Sequence, residues 1–218
     1  VSLPRIVHQV WLGPPIPAEY RNYQASWLER NPGWEHRLWD EQDLAGLDMR
    51  NRDLYEAAGE HTAHLPAVDT IRWQVDVARL EILWQFGGVY ADADAECLRP
   101  LGGLIPYRMC VPQSPNDPSY VTNAVMGAEP GHPFLDALIG GMPANATAYR
   151  GRRLVDTVGG KYISRQIATL KPPGVAVLPW WLFAGQSIRD RDRGRPPDLS
   201  RPLINHVYGN TRGRRVLR

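Results

Sequence analysis

The sequence predicts an α/β domain built on a mostly parallel sheet flanked by helices, and three observations carry that expectation. An amphipathic helical stretch runs straight into a glycine pair and a short apolar strand. Short β-branched segments alternate with helical periodicity from the amino end onward. The length of 218 residues is enough for one such domain with a full core.

The central stretch is residues 68–100. Val68, Ile71, Val75, Ala78, Ile82 and Phe86 recur at steps of three and four, which predicts one apolar helix face turned to the core. On another face Arg72, Asp76, Arg79 and Leu83 share that spacing, so Asp76 and Arg79 lie one turn apart. Such a pair reads either as a surface ion pair or as two groups acting on a common object. Gly87-Gly88 stops the helix, because the residue past a helix end usually takes a positive φ. Val89-Tyr90-Ala91 then reads as an interior strand with Asp92 and Asp94 at its carboxyl end, where open α/β sheets bind ligands.

The other elements follow in chain order. Arg5 to Trp11 is β-branched and apolar enough for a first strand, broken by Gly13-Pro14-Pro15. Pro17 to Arg30 predicts a helix with Tyr20, Tyr23, Trp27 and Leu28 on one core face. Trp34 to Trp39 predicts a second strand, and the acids of Asp40-Glu41-Gln42-Asp43 suit the helix start that follows. Strand, helix, strand in this order indicates a right-handed crossover. A short helix is expected near Arg52 to Ala58; His61 and His64, three apart, read as solvated rather than as metal ligands. Met109-Cys110-Val111 reads as a buried strand, Pro112 to Pro118 as a loop, Phe134 to Ile139 as the start of a helix, Lys161 to Leu170 as a helix and Val175 to Leu178 as a strand.

Composition narrows the function classes. Net charge is +2, and the only lysines are Lys161 and Lys171; such an arginine bias reads as genome composition in a bacterial source rather than as a nucleic-acid surface. Cys97 and Cys110 are expected to be free core thiols. No apolar run reaches the roughly 18 residues that span a bilayer, and no basic-then-apolar leader is seen, so a soluble cytoplasmic protein is expected, with peripheral contact at the inner membrane face left open. P-loop and dinucleotide-binding glycine motifs are absent.

Two D-x-D pairs occur. Asp190-Arg191-Asp192 sits among arginines in a Pro/Gly-rich stretch, where a solvated loop neutralises its own charge. Asp92 and Asp94 instead follow an apolar strand, where carboxylates are costly without a compensating partner. One account is a hard divalent cation, Mn²⁺ or Mg²⁺, completed by the phosphates of a substrate. The other is a structural cap or turn.

The run D-x-x-R-x-x-x-L-x-x-x-G-G-V-Y-x-D-x-D, here Asp76, Arg79, Leu83, Gly87, Gly88, Val89, Tyr90, Asp92 and Asp94, resembles the core of the DxD-containing sugar transferases of glycosyltransferase family 32, with the catalytic domains of clostridial glucosylating toxins as more distant relatives. The resemblance extends from about Leu3 to Gly209 and implies a single GT-A-type domain over residues 1–218, ending in an arginine-rich tail at about 210–218. It implies metal-dependent, retaining transfer from a nucleotide sugar, a UDP- or GDP-sugar, to a saccharide, lipid or natural-product acceptor. Val10 and Trp11, in a segment resembling the family's I-H-x-x-W, are then nucleotide contacts. Asp76 holds sugar hydroxyls and Arg79 the diphosphate; Tyr90 contacts the donor or packs. Asp94 and His206 hold the metal, and Asp92 binds it directly or through its water. Asn123 faces the sugar or acceptor side, or forms a turn. Catalysis falls to Asp92, Asp94 and Arg79, with no protein nucleophile.

Two departures stand out. Residues 156–160 carry glycine where the family's Thr-Gly-Pro turn has proline, which is expected to loosen the turn. Asn210-Thr211-Arg212 replaces the family's closing Ser-Trp pair, so the loop there is expected to be shortened or altered. The rival readings are a metal-dependent phosphohydrolase or nucleotidyltransferase, which also uses paired aspartates, and a non-enzymatic module gripping phosphates through Arg189 to Arg195 and Arg212 to Arg218.

Overall fold

The computed structural model describes residues 2–207. The elements run β1 (Ile6–Val10), α1 (Ala18–Arg30), β2 (Glu35–Trp39), α2 (Glu41–Gly46), α3 (Arg52–Glu56), α4 (Ala58–Thr62), α5 (Val68–Phe86), β3 (Gly88–Ala91), β4 (Ala95–Cys97), β5 (Met109–Pro112), β6 (Val125–Ala128), α6 (Pro133–Ala148), α7 (Leu154–Thr157), α8 (Gly160–Leu170), β7 (Val175–Leu178), α9 (Ile188–Asp192) and β8 (Ile204–His206). Single 3₁₀ turns at Leu101–Leu104 and Trp180–Leu182 complete them.

Six strands form one sheet in the order β2-β1-β3-β6-β5-β7. The pairs β1/β2, β1/β3 and β5/β7 are parallel, while β6 runs antiparallel to both β3 and β5. The sheet is therefore mostly parallel and flanked by helices, as expected. Separately, β4 and β8 pair antiparallel, which returns the chain to the strand end that carries the aspartates.

The sheet separates two cores. Val10, Trp39, Trp73, Val77, Leu80, Ile82, Leu83, Phe134 and Leu138 pack on the α5 and α6 side. Val7, Trp27, Val89, Cys97, Cys110, Phe183 and Ile204 pack on the other, with both cysteines free and buried as expected. Burying each such aliphatic or aromatic side chain is worth ~1.5–3 kcal/mol, so this sorting of apolar faces decides the layers.

Several local expectations are corrected by packing. The stripe on α5 frays at its ends: Val68 is 36 % and Phe86 38 % exposed. The middle of α5 is instead buried nearly all round, because β1, β3 and β6 cover one side and α3, α4, α6 and α7 the other. Leu28 is 48 % exposed, since α1 turns Tyr20 and Trp27, two turns apart, toward β4, where the Trp27 indole N–H donates to the Ala95 carbonyl at 3.1 Å. The helix expected at Arg52 to Ala58 breaks at Ala57 into α3 and α4.

Local chemistry sets the element ends. Asp40 and Asp43 form a reciprocal capping box that starts α2. The buried Glu81 carboxylate accepts the Asn51 N–H at 3.0 Å where α3 begins. Gly88 has φ +88°, and a Cβ there would lie 2.5 Å from the Ile6 carbonyl oxygen, so only glycine lets β3 enter beside β1. Among the described residues, no helix is long and apolar enough to cross a membrane.

Candidate active site

Asp92 leaves β3 with its N–H on the Ala124 carbonyl at 2.8 Å, and its own carbonyl receives the Ala95 N–H at 3.0 Å. That closes a tight turn carrying Asp94. Pairing of β4 with β8 then sets Ala95 opposite His206, and the Val207 N–H donates to the Asp94 carbonyl at 3.0 Å. His206 Nε2 lies 3.1 Å from Asp94 Oδ1 and 3.7 Å from Asp92 Oδ2.

One ligand atom from each of Asp92, Asp94 and His206 falls within 4.8 Å of the other two. Two carboxylate oxygens and one imidazole nitrogen form a donor set that suits Mn²⁺ or Mg²⁺. The residues present therefore fit the implied metal. Burial raises the Asp92 carboxyl, Arg79 and His206 pull it back, and Asp94 adds to the rise. On His206 burial acts to lower the pKa, but the charge of Asp94, its hydrogen bond and the charge of Asp92 outweigh this and leave it raised.

Behind the triad lies a buried ionic network. Asp76 and Arg79 are 5 % and 4 % exposed, which overturns the surface ion-pair reading. Arg79 contacts Asp76 Oδ1 at 2.9 Å and Asp92 Oδ1 at 3.1 Å, donates to the Asn123 carbonyl and to the Val75 carbonyl, and lies 4.5 Å from the Tyr90 ring centre. The Asn123 amide donates to Asp76 Oδ1 at 2.8 Å, and the Tyr90 hydroxyl donates to Asp92 Oδ1 at 3.2 Å. A charge this deep is tolerable only when so fully hydrogen-bonded. Burial raises the Asp76 carboxyl to about 6 against the pull of Arg79, with Asp92 adding to the rise.

The remaining candidates fall on one side or the other of this centre. Val10 is core, at the end of β1 next to β3. Trp11 follows it half-buried, its indole N–H on the Pro14 carbonyl at 2.6 Å and its ring edge-on to Tyr20 at 5.5 Å. Burial, and then the charge of Asp94, push the Tyr20 hydroxyl up to about 12. His206 also borders a narrow cleft lined by Gln113, Thr122, Trp180 and Phe183.

Other expectations resolve away from the triad. His61 stacks on Trp73 at 4.6 Å and His64 bonds the Arg152 carbonyl at 3.1 Å, so neither joins a group of three potential metal ligands among the described residues. Asp190 takes the Ser187 hydroxyl at 2.8 Å and Arg195 at 2.9 Å, the self-neutralised charge expected, although on a short helix rather than a loop. At the first residue of α8 a Cβ on Gly160 would overlap the Val121 carbonyl oxygen, two residues before Asn123, so glycine there permits a close backbone approach. Tyr208, Gly209, the Asn210-Thr211-Arg212 departure and the cluster from Arg212 to Arg218 lie outside the described residues.

Sequence reasoning missed Gln9. Gln9 is fully buried, bonded to the Asp92 carbonyl and to His36. The signal available for it was a polar amide inside an apolar strand pattern.

Comparison with known proteins places the chain in a family. Residues 17–125 match the family model described as glycosyltransferase sugar-binding region containing DXD motif. The chain is 31 % identical over 150 residues to inositol phosphoceramide mannosyltransferase 2 of Schizosaccharomyces pombe, covering 67 % of this chain and 40 % of that protein. It is 28 % identical over 136 residues to mannosyl phosphorylinositol ceramide synthase SUR1 of Saccharomyces cerevisiae, covering 61 % and 33 %. The chain thus spans about two fifths or less of these relatives. Among solved structures, the PaToxG glycosyltransferase superposes with a TM-score of 0.61 at 12 % identity, over 78 % of this chain and 69 % of that one. The UDP-bound glycosyltransferase domain of the YGT toxin gives 0.56 at 12 % identity, over 81 % and 79 %. These two share the fold, which is of GT-A type. With half of its length matched and its aspartate pair at the expected strand end, the chain belongs to the glycosyltransferase family defined by the DXD-containing sugar-binding region.

Proposed function

We propose that this chain transfers a sugar from a nucleotide diphosphate donor, a UDP- or GDP-sugar, to an acceptor hydroxyl, with retention of anomeric configuration and in dependence on Mn²⁺ or Mg²⁺. The observation that carries the reading is the convergence of Asp92, Asp94 and His206 against a buried Asp76–Arg79 pair. Asp92, Asp94 and His206 would hold the ion, which would supply Lewis-acid neutralisation of the diphosphate charge.

The chain's own groups do the rest. Trp11, half-buried just past the end of β1 and edge-on to Tyr20, offers a flat ring suited to stacking on a nucleobase. Arg79 holds Asp76 and Asp92 in place and lends positive charge toward the diphosphate from beneath them. Asp76 accepts from the donor sugar's hydroxyls, and Asn123 holds its carboxylate in orientation. Tyr90 keeps Asp92 turned toward His206. We assign no described side chain as a nucleophile, and front-face displacement is the mechanism in this reading.

For the acceptor, the names of the fungal relatives point to inositol phosphoceramide; a lipid bearing a polyol phosphate head group is accordingly the acceptor class we assign, reached by peripheral contact with a membrane. The test is nucleotide release from a panel of UDP- and GDP-sugars with Mn²⁺. Asp94→Ala should abolish release, a loss of several kcal/mol in barrier terms. Undiminished turnover in that variant would refute the site.

A further inference from the structure

The backbone ladder between β1 and β3 pairs Val7 with Val89 and His8 with Tyr90. Asp92 lies two residues beyond its end. Gln9, fully buried in β1, reaches across that gap: its Nε2 donates to the Asp92 carbonyl at 3.1 Å, and its Oε1 lies 2.9 Å from His36 Nε2 on β2. Because a carbonyl only accepts, the amide has one orientation, with its NH₂ toward Asp92 and its oxygen toward an Nε2–H of His36.

That same Asp92 carbonyl takes the Ala95 N–H, the bond that closes the turn bearing Asp94. His206 is fixed to Asp94 through the β4–β8 register, whereas Asp92 approaches from β3. A group that sets the Asp92 carbonyl therefore sets how the two halves of the ligand triad meet.

We propose that Gln9 is a positioning residue for metal binding: its side chain extends the β1–β3 ladder to the D-x-D turn, and His36 holds the amide from behind. The inference rests on the reading of Asp92, Asp94 and His206 as metal ligands. Groups that orient metal ligands in this way typically carry roughly a 10- to 100-fold share of affinity.

The probe is Mn²⁺ alone, with affinity measured by calorimetry and, separately, hydrogen exchange at the Ala95 amide in metal-free protein. Gln9→Glu keeps the shape and the His36 acceptor but turns an oxygen toward the Asp92 carbonyl. It should weaken Mn²⁺ binding by roughly 10- to 100-fold and speed Ala95 exchange, while far-ultraviolet dichroism stays native. His36→Phe removes only the outer partner and should give a smaller loss in the same direction, which keeps the test decisive if the Gln9 variant does not fold. Asp94→Ala separates the two readings. If it loses Mn²⁺ while Gln9→Glu and His36→Phe retain wild-type affinity and Ala95 exchange, the role of Gln9 is overturned; if Asp94→Ala binds Mn²⁺ as wild type does, the metal site falls and the inference with it.

Discussion

Replacing Arg79 with methionine removes the guanidinium at the centre of the buried network while keeping most of its volume. Asp76 Oδ1 at 2.9 Å and Asp92 Oδ1 at 3.1 Å lose their counter-charge, and the Asn123 and Val75 carbonyls lose a donor. Breaking a buried pair from one side costs about 3–5 kcal/mol, chiefly because a charge is left uncompensated. With roughly 2–4 °C per kcal/mol for a domain of this size, the thermal midpoint should fall by about 6–20 °C. The loss should depend on pH with a definite sign. Burial already raises Asp76 to about 6, and without Arg79 it rises further. A carboxyl raised in the folded state binds its proton there more tightly than in the unfolded chain, so its penalty is present above the folded pKa and relieved as pH falls through it. The deficit of Arg79→Met should therefore shrink between pH 8 and pH 5.5, read by calorimetry across that range. Adding Asp76→Asn should recover part of the loss, as coupled neighbours do. A deficit under about 1 kcal/mol, well below that expected for a broken buried pair, or one that grows in acid, would refute the account of the network.

Two further outcomes follow from the fold. His8 is fully buried between the Gly87 carbonyl and the Trp39 indole, and burial holds its pKa down to about 4 from 6.5. The unfolded chain takes up the proton first, so this residue's contribution to stability is lost as pH falls from 6.5 toward 4, amounting to about 3 kcal/mol; urea melts of His8→Gln should lack that share of the acid loss. Gly160→Ala should destabilise by ~1–3 kcal/mol through overpacking against the Val121 carbonyl, and, because Val121 leads to Asn123, nucleotide release should slow at temperatures where the variant remains folded.

Local pattern sufficed for much of this protein. The strands at Ile6–Val10 and Gly88–Ala91, the helix between Val68 and Phe86, the glycine stop and the position of Asp92 and Asp94 at a strand end were legible because each depends on neighbours within a few residues. The family motif was legible for the same reason, being one continuous run. What the local pattern could not supply was environment. Asp76 and Arg79 show identical spacing whether a helix faces water or lies between a sheet and a second helical layer, and only packing chose the second. Leu28 and Phe86 were assigned to the core by periodicity but stay partly at the surface, Phe86 packing against the Trp39 and His8 rings.

The site itself divides along the same line. Sequence determined the acidic pair and, through resemblance, named His206; the tertiary structure decided that His206, 112 residues away from Asp94, arrives within 3.1 Å of it by the pairing of β4 with β8. It also decided that Gln9 reaches the Asp92 carbonyl. Periodicity and motif report energies that depend on adjacent residues, whereas strand register across a long separation depends on the whole core closing at once, and no stretch of the chain read alone contains that information.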